Sequence, residues 1–322
     1  MKSFAFTLAI GAVSAIHQYE VEYMNYISKF GKTMNSIDEF DARLENFILT
    51  DTHVNTINDY QNSWTAGHNQ FSDWTHAEYK SMLGLIMTEE TAPVTIFSED
   101  SNASGVNWVT KGGVTPVKDQ GQCGSCWSFS TTGSLEGAHF NATGQLQSFS
   151  EQQLVDCSTT MNMGCNGGNP LWAFKYLKRH DAELESVYPY FSGTTGSAGS
   201  CQYSSKSKTS VEVSSYGSVT ANSVSQMKAA LNVQPVSVLV EADQSVWQTY
   251  KSGVLNTSAC GTQLDHAVLA VGYGSEGGQE YWLVKNSWNT YWGDQGYIKL
   301  AITGDNDGIC GVQMGPTHAS SN

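Results

Sequence analysis

The sequence predicts an α+β protein of two lobes with a cleft between them, preceded by a separate helical segment. Three observations lead there. Residues 107–180 carry helical patterning, whereas beyond Val211 the chain turns to short runs rich in Val and aromatics, bounded by Gly or Asn. A helical half followed by a β half fits an α+β fold, and clefts form where two such lobes meet. The first hundred residues differ from the rest in kind. They hold no cysteine and carry 5 Lys/Arg against 14 Asp/Glu, whereas residues 101–322 hold all seven cysteines and carry 11 against 16.

Residues 1–15, MKSFAFTLAIGAVSA, combine Lys2, an apolar run and the small residues Ser14 and Ala15. This is the pattern of a secretory signal peptide, too short to span a bilayer. Leu44, Phe47, Ile48, Val54 and Ile57 recur at helical spacing and predict a helix over Ile37–Tyr60. A second, short helix is expected over 76–83, after GHNQFSDW. Residues 88–105 are polar and acidic apart from an apolar core at 94–97, and read as a linker open to cleavage. Helices are expected at 126–140, 150–156 and 170–179, and a Gly/Ser/Thr-rich loop over 186–210. The runs VEVSSYGSV, PVSVLVEA, HAVLAVGYG, YWLVKNSW and GYIKLA read as strands. A helical lobe over about 110–210 and a β lobe over about 211–315 follow.

The net charge is −14 with no basic cluster, which argues against nucleic acid or anionic membrane as a partner. No stretch after the leader approaches the roughly 18 apolar residues of a membrane span. A secretory leader implies an oxidising compartment, and the sequons at Asn102, Asn141 and Asn256 fit that route. An odd number of cysteines in such a chain leaves one for intermolecular pairing or reactivity.

Cys123 and Cys126 stand close together in QGQCGSCWSFS. That spacing is open to a zinc site, a redox disulfide, or one structural and one reactive thiol. Zinc would need two further ligands at matching short spacing, and none is present. The run after Cys126 reads as a helix and GQCGS before it as a turn. Cys126 therefore sits at a helix N-terminus, where free N–H groups and the macrodipole favour a thiolate. His266, in QLDHAVLAVGYG, is a candidate base, and Asn286, in VKNSW, can hold its tautomer.

With QGQCGSCW, SEQQLVDC, GCNGG, YPY, LDHAVLAVGYG and KNSW in this order, the chain resembles the papain/cathepsin L-like cysteine peptidases over essentially its whole length. The resemblance implies Cys126 as nucleophile, His266 as general acid/base, Asn286 as its orienter and Trp288 as the shield of that pair. It implies Gln120 and the Cys126 backbone N–H as oxyanion donors. It selects the disulfides Cys123–Cys165, Cys157–Cys201 and Cys260–Cys310. Gly168 and the backbone near Gly124 and Asp265 would hold the substrate strand. The pocket for the side chain two before the cut would be lined by Asn169, Pro170, Leu239, Leu264, Ala267 and Gly315. With no charged group in that lining, aliphatic or aromatic side chains are expected there.

Residues 16–100 resemble the family's inhibitory propeptide. Its long-helix motif appears as Glu39, Arg43, Phe47 and Asn58, with Thr50 and Val54 where Asn and Ile are usual, and its second motif is complete as Gly67, Asn69, Phe71 and Asp73. The implied protein is an inactive precursor of an endopeptidase acting on proteins and peptides in acid. No inserted histidine-bearing loop follows GCNGG. The precursor would be a monomer held by its own propeptide, without cofactor or metal, bound for a lysosome, a digestive vacuole or the exterior. Asp73 and its neighbours are expected to be ion-paired and to release the propeptide as pH falls. Four departures stand out: Asn289 where glycine is usual, Asn107 before Trp108, RHDAELES without the common Gly-Gly turn, and a long loop over 191–201, the last two expected at the surface and away from the chemistry. Histidines other than His266 are expected to be at the surface or incidental to the chemistry. The rivals are a non-catalytic binding homologue and a transglutaminase-type acyl transferase.

Overall fold

The computed structural model describes residues 18–60, 63–99, 103–203 and 209–322. The expected leader and Asn102 lie outside the described residues. The leading segment opens with α1 over 18–30 and α2 over Ile37–Tyr60, the range that the apolar spacing predicts. α1 was not expected from the sequence, yet Tyr19, Tyr23, Tyr26 and Phe30 repeat at helical spacing. Tyr23 and Tyr26 are buried against Leu44 and Phe47 of α2, so the two helices share an aromatic core. β1 (Trp64–Ala66), α3 (His76–Lys80) and β2 (Val94–Thr95) follow. α3 starts on a capping box between Thr75 and Glu78. It ends short of the expected Leu83, because the chain tightens into turns in which Met82 N–H donates to Tyr79 O and Leu83 N–H donates to Lys80 O.

The rest of the chain has two cores. β3 (Val106–Asn107) comes first, then α4 (Cys126–Thr143), α5 (Glu151–Cys157), α6 (Pro170–Leu177) and the short α7 (Ser192–Thr195). β4 (Val213–Val219), α8 (Val224–Val233), β5 (Val236–Val240), α9 (Ser245–Gln248) and β6 (Tyr250–Leu255) come next, and β7 (His266–Glu276), β8 (Gln279–Lys285), β9 (Tyr297–Ala301) and β10 (Thr317–Ser321) end the chain. α8 interrupts a stretch expected to be β. Its signal was local: Ser223 caps Gln226 N–H, and Met227, Ala230 and Leu231 form one buried face.

The strands run in the order β1-β6-β9-β8-β7-β5-β10-β4-β2, with β3 on β7. Most pairs are antiparallel; β6–β9 and β2–β4 are parallel. Both ends of this sheet come from the leading segment, so β1 extends β6 and β2 extends β4. The region expected as a linker thus contributes a paired strand, and Phe97 beside it exchanges hydrogen bonds with Gln226. The two cores also trade chain ends. Val106 and Trp108 join the β-rich core, while Val211, Val213 and Ala319 join the helical one.

α4 is almost wholly buried between the lobes. Two of its glycines let the β lobe come close: a Cβ at Gly133 would lie 2.8 Å from Leu269, and one at Gly137 would lie 2.4 Å from Pro235. Cys126, at one end of this spine, is therefore placed by packing from both lobes. His139 and His318, expected to be at the surface or incidental, are buried away from the catalytic residues; His318 Nε2 lies 2.9 Å from the Thr95 hydroxyl.

Candidate active site

Cys126 is the first residue of α4, after a turn fixed by the Cys123–Cys165 disulfide. Disulfides also join Cys157 to Cys201 and Cys260 to Cys310, and Cys126 is left as a free, fully buried thiol. The close pair in QGQCGSCW is thus one bridged cysteine and one free one. Among the described residues no group of three His, Cys, Asp or Glu could hold a metal ion.

His266 opens β7 and Asn286 follows β8, so the hairpin between these strands brings the two together, 2.8 Å apart from Nε2 to Oδ1. The hydrogen bonds settle the tautomer. Asn286 Oδ1 also accepts from the Ser287 backbone N–H, so it is the acceptor and His266 Nε2–H must donate. That leaves the lone pair on Nδ1, which has no hydrogen-bond partner. Trp288 lies over the imidazole with ring centroids 4.7 Å apart, and Trp247 meets it edge-on at 6.4 Å.

The amide of Gln120 is oriented by the same logic. Its Oε1 accepts from the Ser287 hydroxyl at 2.8 Å and from Trp288 Nε1–H at 3.0 Å, and an indole N–H can only donate. Its Nε2 therefore faces the other way, donating to Cys123 O at 2.8 Å and Met82 O at 2.9 Å. Ser287 was not singled out from the sequence, although it sits inside KNSW. Tyr190 hydroxyl donates to Gln120 O, and Gln122 N–H donates to Gly193 O. The start of the loop expected to lie away from the chemistry instead supports the turn carrying Gln120.

Residues 82–87 of the leading segment fill the cleft. Gly84 N–H approaches the Cys126 sulfur. Gly84 O accepts from Gly168 N–H at 2.8 Å, Leu85 N–H donates to Asp265 O at 3.1 Å, and Ile86 N–H donates to Gly168 O at 2.8 Å. The Leu85 side chain packs against Cys126, Leu239, Leu264 and Ala267. Beyond it a pocket of about 260 Å³ is lined by Asn169, Pro170, Leu239, Leu264 and Gly315, among others. Asn169 has two further tasks: its Oδ1 caps α6 and its Nδ2 donates to Ile86 O. A Cβ at Gly124 would meet Cys165 O at 2.6 Å, and one at Gly168 would strike the Trp127 ring at 2.7 Å. Both glycines let the backbone that lines the cleft pack directly on these groups of the peptidase.

The leading segment's motif residues form its anchor. Arg43 bridges Glu39 at 3.3 Å and Glu78 at 2.8 Å, and also reaches Asp73 O. Buried Asp73 accepts from Tyr23, Tyr26 and Lys32. Phe47 stacks on His68. Asn58 exchanges two hydrogen bonds with Ala66, and Gly67 N–H donates to Thr249 O. Asn69 Nδ2 donates to Gln248 O, and Phe71 meets Trp288 edge-on.

This cover changes the site's electrostatics. Burial pushes the Cys126 thiol up to about 11, against the pull of the Ala267, Gly84 and Trp127 N–H groups. Burial pulls the His266 imidazole down to about 4, against the Asn286 bond. Between those values both groups are neutral in the covered cleft.

Residues 102–319 match the model of the papain family cysteine proteases, and residues 23–79 match the cathepsin propeptide inhibitor domain. The chain belongs to the papain family of cysteine proteases. It is similar to digestive cysteine proteinase 2 of Homarus americanus, 43% identical over 291 residues, covering 88% of this chain and 84% of that protein. It is also similar to cysteine proteinase 5 of Dictyostelium discoideum, 40% identical over 343 residues and 96% of both. Among solved structures it matches a recombinant stem bromelain precursor with a TM-score of 0.86 at 33% identity, covering 94% of this chain and 99% of that one. A digestive procathepsin L 3 of Tenebrio molitor larval midgut matches with a TM-score of 0.85 at 30% identity, over 94% and 99%. The protein is thus a papain-family cysteine proteinase that carries its own inhibitory propeptide, and the segment in the cleft belongs to that zymogen arrangement. Among the described residues no helix is long and apolar enough to cross a membrane.

Proposed function

We propose that Cys126, His266, Asn286 and Gln120 carry peptide-bond hydrolysis, with the propeptide holding the first two silent. The observation that carries this reading is the pair of fixed orientations: Nδ1 of His266 keeps its lone pair, and Nε2 of Gln120 faces into the cleft. When the propeptide leaves, water returns and the desolvation on both groups is lifted. The thiol proton then moves to His266 Nδ1, giving a thiolate and an imidazolium. The thiolate attacks the scissile carbonyl carbon. The resulting oxyanion takes hydrogen bonds from Gln120 Nε2 and the Cys126 backbone N–H. As the C–N bond breaks, His266 returns its proton to the leaving amine. Water, deprotonated by His266, then cleaves the thioester to release the acid and restore the thiol.

A substrate strand would lie along Gly168, Asp265 and Gly124, with one side chain in the pocket of Asn169, Pro170, Leu239, Leu264, Ala267 and Gly315. Leu85 packing with Leu239, Leu264 and Ala267 of that lining supports a preference for aliphatic or aromatic residues two before the cut. A cleavage profile dominated by arginine there would contradict it. Endopeptidase action is supported by a cleft with no inserted histidine loop after GCNGG. The domain division is a leader over 1–15, a propeptide over 16–100 and a peptidase over 101–322. Delivery along the secretory pathway to a lysosome, digestive vacuole or the exterior follows.

Acid activation is supported at the anchor. Burial opposes the charge on Glu78, but Arg43 and Thr75 outweigh it and hold the carboxyl below its usual range. That stabilisation is present above the ordinary glutamate value and is lost as pH falls through the lowered one.

The test is incubation at pH 4.5 with a thiol-directed epoxide, mass spectrometry of the adduct, and peptide hydrolysis by wild type and Cys126→Ala. Labelling at Cys126 with hydrolysis lost in the variant supports the proposal. A processed protein that is neither labelled nor active overturns it.

A further inference from the structure

The propeptide crosses Cys126 at Gly84 and continues in both directions. Residues from Leu85 onward lie along Gly168, on the side proposed to bind substrate before the cut. Residues 79–82 therefore lie on the side that receives substrate after the cut. Each arm bears a charged side chain on a counter-charge of the peptidase. On the far side of the cut Lys80 Nζ pairs with Asp243 Oδ2 at 2.8 Å, and Glu241 adds to the negative field there. The Tyr79 hydroxyl donates to Ala242 O at 2.7 Å, which fixes this arm against the residue preceding Asp243. On the near side Glu90 pairs with Lys175, and its other oxygen accepts from Trp172 Nε1 at 3.1 Å. Lys175 and Trp172 both stand on α6, the helix that Asn169 caps at the edge of the specificity pocket.

We propose that the cleft reads charge with a polarity: Asp243 selects a basic side chain after the cut, and Lys175 with Trp172 selects an acidic one before it. This rests on the peptidase reading above. When the propeptide leaves, Asp243 loses its lysine partner and Lys175 its glutamate partner, while both stay in place beside the substrate path. Neither side chain is bound deeply. Lys175 is 46% exposed and Asp243 is 15% exposed, so each contact has the strength of a surface ion pair. Such a pair supports about a threefold preference at low salt, and salt screens it.

The test uses the processed enzyme, with active sites titrated, and fluorogenic peptides sharing leucine two residues before the cut. One series places Lys, Gln or Glu at the first four positions after the cut. A second places them at the third to fifth positions before it. The readout is the ratio of kcat/KM between charged and uncharged peptides within each enzyme form. Wild type is expected to favour Lys after the cut and Glu before it, each by about threefold, with the ratios falling toward one in high salt. Asp243→Lys should invert the first ratio and leave the second, and Lys175→Glu should invert the second and leave the first. A wild type that cuts the uncharged parent but shows ratios of one, or ratios that neither variant moves, overturns the polarity and leaves the peptidase reading intact. If no peptide is cut, including the parent, both fall.

Discussion

Gly84 is the point where the propeptide touches the nucleophile's turn, and Gly84→Ala tests whether that contact keeps the enzyme silent. A Cβ at Gly84 would lie 1.8 Å from Gly124 O, 2.3 Å from Gly124 C and 2.7 Å from Gly124 Cα. All three are backbone atoms in the turn tied down by the Cys123–Cys165 disulfide, so no side chain can swing aside. Restoring van der Waals contact means lifting the propeptide strand by about 1.5 Å. Three hydrogen bonds of 2.8–3.1 Å, at Gly84 O, Leu85 N and Ile86 N, would then be broken. At about 1 kcal/mol each the closed state loses about 3 kcal/mol, or roughly a hundredfold in the open fraction. The assay is the rate at which a thiol-directed epoxide labels Cys126 in the intact precursor at neutral pH. Cys126 is 0% exposed when covered, so labelling proceeds from the open fraction and should speed up by about a hundredfold. Lys80→Ala, which removes a partly exposed ion pair, should raise the rate by less than about fivefold. A Gly84→Ala precursor labelled at the wild-type rate, with unchanged thermal stability, would refute the steric argument.

Gln120→Ala should lower kcat by about 10²–10³ with little change in KM, since the amide is held for charge that develops only in the transition state; steady-state kinetics on a leucine peptide decides it. The covered cleft also holds two groups of opposite pH sign. His266, pulled down to about 4, stabilises the closed state above its ordinary value, and this is lost as pH falls toward 4. Burial pushes Asp265 up to about 7, helped by Asp243 and Glu241, so its effect favours closure as pH falls through 7. Asp265→Asn removes the second effect, and the pH midpoint for Cys126 labelling should move upward; a midpoint that stays or drops contradicts the assignment. Asn289 has φ 59°, where a left-handed residue is required, and its side chain accepts from Thr290 N–H. Thermal unfolding should show Asn289→Gly within about 1 kcal/mol of wild type and Asn289→Val destabilised by about 2 kcal/mol.

The sequence by itself, through its motifs and the family resemblance they carry, determined which residues meet at the site and which side of the chain guards it. QGQCGSCW, LDHAV and KNSW are short runs in which local rules (a turn, a helix N-terminus, a strand start) already place the reactive atom. Apolar spacing likewise set α2 and the main strands, because that spacing reports which face is buried. Asn289 was legible for the same reason, since φ > 0 is a property of one residue.

The tertiary structure decided what depends on partners far apart in the chain. The direction of the Gln120 amide follows from Trp288 and Ser287, and the His266 tautomer from a bond that Ser287 donates to Asn286. No local pattern brings those donors to Gln120. The loop at 190–193 reads as surface by composition, yet Tyr190 buttresses Gln120 because the disulfide-bound turn comes to lie beside it. β1 and β2 were invisible for a related reason: strands this short gain their pairing energy only from β6 and β4 across the fold. The neutral Cys126 and His266 are the clearest case. A helix N-terminus by itself favours a thiolate, but desolvation beneath Gly84 and Leu85 outweighs that local pull. Burial is a property of the folded chain as a whole.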